Sequence, residues 1–234
     1  MEFFERSILK ENAPSKDFAI IFDVDGVLLE LTRSEEELFF TALSHFVPTT
    51  NLSRDWNSYH IRNDDDIIAE ILERNGLPLT CKAKVMNHYV NTLLTALRNT
   101  LQSVEITGAK QLLSKLSNSA TLGIATANLH AAAALRLQQA GLWPYVSNHA
   151  EGADGGGHKS RILARLLQRI KLPRSQVIYI GDNINDVEAG FENGVQFIGF
   201  STDPVRRTLL QSHGARQVSA NHSETFTLLE ALMA

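Results

Sequence analysis

Short apolar runs recur along this chain, at residues 18–22, 122–125, 177–180 and 195–200, and helical patterns follow most of them. A strand that is apolar along its length has no face to give to water, so it belongs in a parallel sheet covered by helices on both sides. The alternation predicts an α/β chain built on a Rossmann-like, doubly wound parallel sheet. A weaker strand is expected at residues 145–148.

Between the first run and the second the pattern is helical only. About 75 residues is far longer than an ordinary crossover, so residues 30–105 are expected to form an inserted helical domain. The sheet domain then comprises residues 1–29 and 106–234. Within the insert, Ser34 followed by Glu37 reads as a capping box that opens a helix through Leu38, Phe39, Ala42 and Leu43. Asn63 or Asp64 begins another, with Ile67, Ile68, Ile71 and Leu72 as its apolar stripe and Gly76 at its end. The acids Asp64, Asp65 and Asp66 fall in its first turn, where they complement the helix dipole. Asp203 and Pro204 open a later helix that Gly214 closes.

The first apolar run leads into Asp23-Val24-Asp25-Gly26-Val27. Two carboxylates spaced i, i+2 at a strand end point the same way. One can attack while the other trades protons. Like charges held this close cost stability unless a cation or an incoming anion compensates, although an Asp-rich turn with Gly at positive φ accounts for the same residues.

Three further elements fall at strand ends or at the starts of the helices that follow, where open parallel sheets place their ligands. Thr126-Ala127-Asn128 offers a hydroxyl and free backbone N–H groups suited to phosphate; an N-cap role explains Thr126 equally. Lys159 follows three glycines and opens a helix, as a phosphate ligand or as a solvated lysine. Asp182 abuts its strand and Asp186 lies four residues on, an arrangement that can hold a hard divalent cation or its waters.

Composition narrows the function classes. A net charge of -4 gives no footprint for nucleic acid or for an anionic membrane. The single cysteine, Cys81, cannot form an internal disulfide, and no apolar run reaches the roughly 20 residues of a membrane span. These features predict a cytoplasmic protein. Residues 1–16 mix Glu2, Glu5, Arg6, Lys10 and Glu11 with apolar residues and read as a short helix or a loose lead-in, not a signal peptide.

Taken together, the order acid-x-acid, Thr, Lys, acid at successive strand ends resembles the haloacid dehalogenase superfamily, most closely its phosphoglycolate-phosphatase-like branch. The insert resembles that superfamily's helical cap. The resemblance implies Asp23 as nucleophile and Asp25 as acid and base, with Thr126, Ala127, Asn128 and Lys159 on the substrate phosphate. It implies Mg²⁺ held by Asp23, the Asp25 backbone carbonyl and Asp182, with Asp186 orienting a metal-bound water. Ala127, Ser160 and Asn183 depart from the residues common at those places and leave the substrate open. His60, Arg62 and Asn63, in a polar loop of the insert, are the candidates for specificity contacts. The expected activity is hydrolysis of a small phosphorylated metabolite. A phosphomutase or other phosphotransferase is the alternative, and a non-catalytic binding protein a more distant one.

Overall fold

The computed structural model describes residues 16–234; the opening stretch read as a helix or lead-in lies outside them, save for Lys16. Six strands form one sheet: β1 (Ala19–Phe22), β2 (Thr121–Ala125), β3 (Ala150–Glu151), β4 (Val177–Gly181), β5 (Gln196–Phe200) and β6 (Gln217–Ser219). Their spatial order is β3-β2-β1-β4-β5-β6, and every neighbouring pair is parallel.

Side-chain alternation along β1 shows why both faces must be covered. Ile20 and Phe22 join one core with Leu112, Leu113, Ala133, Leu137 and Leu229, whereas Ala19 and Ile21 join another with Ile162, Leu166, Val187 and Leu210. The first core is covered by α4 (Ala109–Leu116), α5 (His130–Gln139), α6 (Trp143–Val146) and α10 (His222–Met233). The second is covered by α7 (Lys159–Arg169), α8 (Ile184–Glu192) and α9 (Pro204–Ser212). Truncating Ile21, which is fully buried, to alanine should cost about 2–5 kcal/mol.

Between β1 and α4 lie α1 (Arg33–Leu43), α2 (Asp64–Arg74) and α3 (Lys82–Asn99). Phe39, Ile67, Ile71, Tyr89 and Leu93 from these helices share a third core, to which α5 contributes Ala132 and the chain just before it Leu129. Asn63 caps α2, and Gly76, at φ 67°, follows its end. Only a residue without a Cβ takes that left-handed turn at no steric cost.

Two local expectations are corrected. The capping box of α1 is Thr32 with Glu35, not Ser34 with Glu37. Thr32 is extended, its hydroxyl accepts from the Glu35 N–H, and Glu35 Oε2 accepts from the Thr32 N–H at 2.9 Å. Glu37 instead pairs with Arg54 on the surface. Residues 145–148 are not a strand: Pro144 sits in the first turn of α6, which suits its fixed φ. A 3₁₀ turn, Ser147–His149, follows, and the edge strand is the two-residue β3, too short to leave a pattern in the sequence. Among the described residues, no helix is long and apolar enough to cross a membrane.

Candidate active site

Sheet register gathers the site. Phe22 aligns with Ile124 of β2 and with Ile180 of β4, so Asp23, Thr126 and Asp182 emerge together at the carboxyl ends of three adjacent strands. The Asp23 N–H donates to the Ile180 carbonyl at 2.8 Å, extending the ladder by one residue. Asp23 is 6% exposed. Its Oδ1 accepts from the Val24 N–H at 2.7 Å and meets Lys159 Nζ at 2.7 Å. Both contacts fall on Oδ1 and leave Oδ2 outside them.

The loop after β1 must pass close to Asp182. Gly26 has φ 75°, and a Cβ there would lie 2.4 Å from Asp182 Oδ2. Any side chain would displace the carboxylate, so the glycine serves the site as much as the turn.

Lys159 is the first residue of α7. The loop before it is clamped by Arg165, whose guanidinium donates to the Gly152 and Gly156 carbonyls, each at 2.9 Å, and to Glu151 at 2.6 Å. Its ammonium therefore reaches both Asp23 and Asp186, the latter at 3.1 Å. Burial opposes its charge, but the two carboxylates hold its pKa above the ordinary lysine range. Asp186, 1% exposed, also accepts from the Tyr179 hydroxyl at 2.6 Å and from the Asn183 N–H at 3.1 Å.

Asp23, Asp182 and Asp186 each bring one oxygen within 4.8 Å of the others. Burial pushes the Asp23 carboxyl well above its ordinary range against the pull of Lys159. Burial, reinforced by Asp186, raises Asp182 to about 7, although Arg206 lies 3.5 Å away. Three acids thus face fewer cations than they need, and their oxygens are the hard donors a divalent ion such as Mg²⁺ takes. The residues fit such an ion.

Asp25 sits apart from this cluster. Its Oδ2 accepts from Asn128 Nδ2 at 3.0 Å. Arg136 Nη2 lies 2.7 Å from Oδ1 as an ion pair, off the line of a hydrogen bond. Arg136, 3% exposed, also donates through Nε to Glu35 Oε1 at 2.8 Å and through Nη1 to Asn128 Oδ1 at 2.9 Å. Burial opposes the guanidinium charge, but Asp25 and Glu35 raise its pKa.

Thr126 is buried and lines the cavity, its hydroxyl oxygen accepting from the Asn128 N–H at 3.3 Å. The Ala127 carbonyl accepts from the Asp64 N–H at 2.9 Å. Asn63 caps α2 and donates to the Gly157 carbonyl at 2.9 Å. Arg62 is exposed and donates to Asn57 and to Asn185 of α8. His60 turns to Glu70 at 3.0 Å and does not line the cavity.

The acid run of α2 lies in the first helical turn, but it is not solvated. Asp64 is 7% exposed and accepts from the Leu129 N–H at 2.8 Å. Asp65 meets Lys82 at 2.8 Å, and Asp66 accepts from the Gly157 N–H at 2.6 Å. The run docks α2 onto the loops that carry Thr126 and Lys159.

These residues enclose a cavity of about 690 Å³, within the range of small-molecule sites. Its floor is the strand-end acids, and Phe39, Trp56, Ile67, Tyr89 and Leu93 form an apolar wall from the insert. Sequence reading missed Arg136, Glu35, Tyr179, Arg165 and Asp64. Arg136 left a signal: with Leu129, Ala132, Ala133 and Leu137 it falls on the apolar stripe of α5, where a charge implies a buried partner.

The model of the haloacid dehalogenase-like hydrolase family matches residues 20–200. The chain belongs to that family. No curated protein matches it. Among solved structures, it is similar to a putative β-phosphoglucomutase from Bacteroides vulgatus, at 19% identity and TM-score 0.67 over 94% of this chain and 90% of the other. It is similar to a predicted phosphatase from Clostridium acetobutylicum, at 17% identity and TM-score 0.67 over 93% and 100%. It is also similar to a CbbY variant from Rhodobacter sphaeroides in complex with xylulose-1,5-bisphosphate, at 14% identity and TM-score 0.68 over 88% and 95%.

Proposed function

We propose that this chain is a Mg²⁺-dependent phosphatase that hydrolyses a small-metabolite phosphomonoester through an aspartyl-phosphate on Asp23. The observation that carries the reading is the buried Asp23 carboxylate, paired with Lys159 at 2.7 Å beside Asp182 and Asp186. A carboxylate so crowded stays ionised only with cations beside it.

Mg²⁺ would be held by Asp23, Asp182 and the Asp25 carbonyl with Asp186 behind them, and it would supply the positive charge that lets a phosphate dianion approach carboxylates. Asp23 Oδ2 attacks phosphorus as the bond to the substrate's alcohol oxygen breaks. Asp25 gives that oxygen a proton, then takes one from the water that attacks the phosphoryl group, and phosphate leaves with Asp23 restored. Lys159 and Thr126 balance charge on the transferring oxygens, and the backbone at Ala127 and Asn128 completes their cradle.

Residues 30–105 act as a cap over the sheet core. The cap excludes water and presents its apolar wall, with Arg62 on that wall and Asn63 at the seam with the core, to the alcohol half of the substrate. The bisphosphate bound by the CbbY variant supports a small phosphorylated substrate.

The test is release of phosphate from an aryl phosphate. Turnover that needs Mg²⁺ and stops with excess chelator is expected, and turnover that survives chelation contradicts the metal assignment. A phosphomutase uses the same carboxylates, and one structural neighbour is named as one. Isomerisation of a sugar phosphate without net phosphate release would select that reading.

A further inference from the structure

Arg136 is a buried cation that the proposed chemistry leaves without a task. It lies on α5, among alanines and leucines, and its three guanidinium nitrogens all meet protein oxygens: Glu35, Asn128, Asp25 and, at 3.3 Å, the Glu30 carbonyl. A guanidinium filled in this way does not bind substrate. Lys159, by contrast, stands against the nucleophile itself.

What Arg136 does touch is the second aspartate. The guanidinium lies against Asp25 Oδ1, while Asn128, itself fixed by Arg136, donates to Oδ2. The Asp25 side chain is 22% exposed, and among the described residues the side-chain contacts that fix its direction come from Arg136 and Asn128. Glu35 completes the arrangement from α1: it neutralises the second half of the guanidinium and is held by Thr32 and by Ser103 at 3.4 Å. A buried arginine needs both acids to offset its desolvation.

We propose that Arg136 is a positioning residue that aims the Asp25 carboxyl at the leaving-group oxygen, with Glu35 and Asn128 holding the guanidinium in place. The proposal rests on the reading of Asp25 as acid and base. Proton transfer requires the donor within hydrogen-bond reach of the oxygen, so a misaimed Asp25 penalises substrates whose leaving group needs a proton and spares those whose leaving group departs without one.

The experiment compares single-turnover phosphoryl transfer from an alkyl phosphate and from nitrophenyl phosphate in Asp25→Asn, Arg136→Lys, Glu35→Gln and the double variant Asp25→Asn with Arg136→Lys. Lysine keeps the charge beside Glu35 but loses the fork geometry. Arg136→Lys is expected to slow the alkyl phosphate by about tenfold to a hundredfold and the nitrophenyl ester by about threefold or less, a part of the range a general acid contributes. Because Arg136 acts through Asp25, the double variant should be no slower than Asp25→Asn alone. A crystal structure of Arg136→Lys should show the Asp25 side chain turned away from its original direction. If Arg136→Lys does not fold, Glu35→Gln decides, with a several-fold loss confined to the alkyl phosphate expected. Equal slowing of both substrates, or losses that multiply in the double variant, overturns the positioning role while leaving Asp25 its own. Absence of any leaving-group difference in Asp25→Asn removes the acid role first, and the proposal with it.

Discussion

The floor of the cavity and its outer wall solve the problem of polar groups in opposite ways. On the floor, Asp23, Lys159 and Asp186 are almost fully enclosed, and each charge is matched within about 3 Å by another fixed to the sheet or to a helix start. On the wall, Arg62 is exposed and donates to the neutral oxygens of Asn57 and Asn185, while Glu36 accepts from the Trp56 indole N–H at 2.8 Å. Buried charges cannot move or be exchanged without a large desolvation cost. Exposed ones can be replaced at little cost to the fold. On the proposed reading, chemistry that needs fixed geometry is confined to the sheet ends, and the wall is left free to vary with the substrate.

The floor predicts the largest effects. Lys159→Met strips from Asp23 and Asp186 the only ammonium that meets them among the described residues, and should lower turnover by about a hundredfold or more, as loss of a preorganised charge contact does. Steady-state kinetics on an aryl phosphate check this, and a loss under about fivefold would move Lys159 out of the site.

The seam between the two regions comes next. Burial raises Asp64 to about 7 despite the Leu129 N–H, with Asp25, Arg136, Asp154 and the Tyr89 ring also facing it. Its folded-state pKa exceeds the ordinary aspartate value of about 4, so the folded protein binds the extra proton. This group's contribution to stability is therefore present below about pH 4 and is lost as pH rises toward 7. Asp64→Asn keeps an acceptor for Leu129 and removes the charge. It should flatten that slope and raise stability at pH 8 by up to about 4 kcal/mol relative to the parent, about three pK units at about 1.4 kcal/mol each. Denaturant titrations across the pH range test it, and parallel curves for both proteins would place Asp64 in a wetter setting.

The smallest effect belongs to the wall. Arg62→Ala should change turnover of a small aryl phosphate by only a few-fold and weaken discrimination among natural phosphomonoesters, because contacts made equally in ground and transition states act on KM. A loss of orders of magnitude on every substrate would erase the distinction between floor and wall.

The same contrast explains what the sequence disclosed. Asp23, Thr126, Lys159 and Asp182 could be found because each adjoins a strand or helix start whose apolar run is visible, and a parallel sheet brings such ends together. Arg136 and Glu35 belong to no strand end and meet because α1 and α5 both pack against α3, a contact between residues 101 positions apart. Asp64 reads as an ordinary helix-start acid, since nothing local reveals that Leu129 will cover it. The edge strand β3 escaped because pairing to β2, not its own residues, makes it a strand.

The most direct test of the account is capture of the covalent intermediate. The protein is mixed with an aryl phosphate and Mg²⁺, quenched in acid within one turnover, and its peptides are weighed. The expected result is the added mass of one phosphoryl group on the peptide bearing Asp23, absent from Asp23→Asn, which should fold normally and turn over nothing. A phosphoryl group on another residue, or Asp23→Asn working at the parent's rate, would contradict the central claim that Asp23 is the nucleophile.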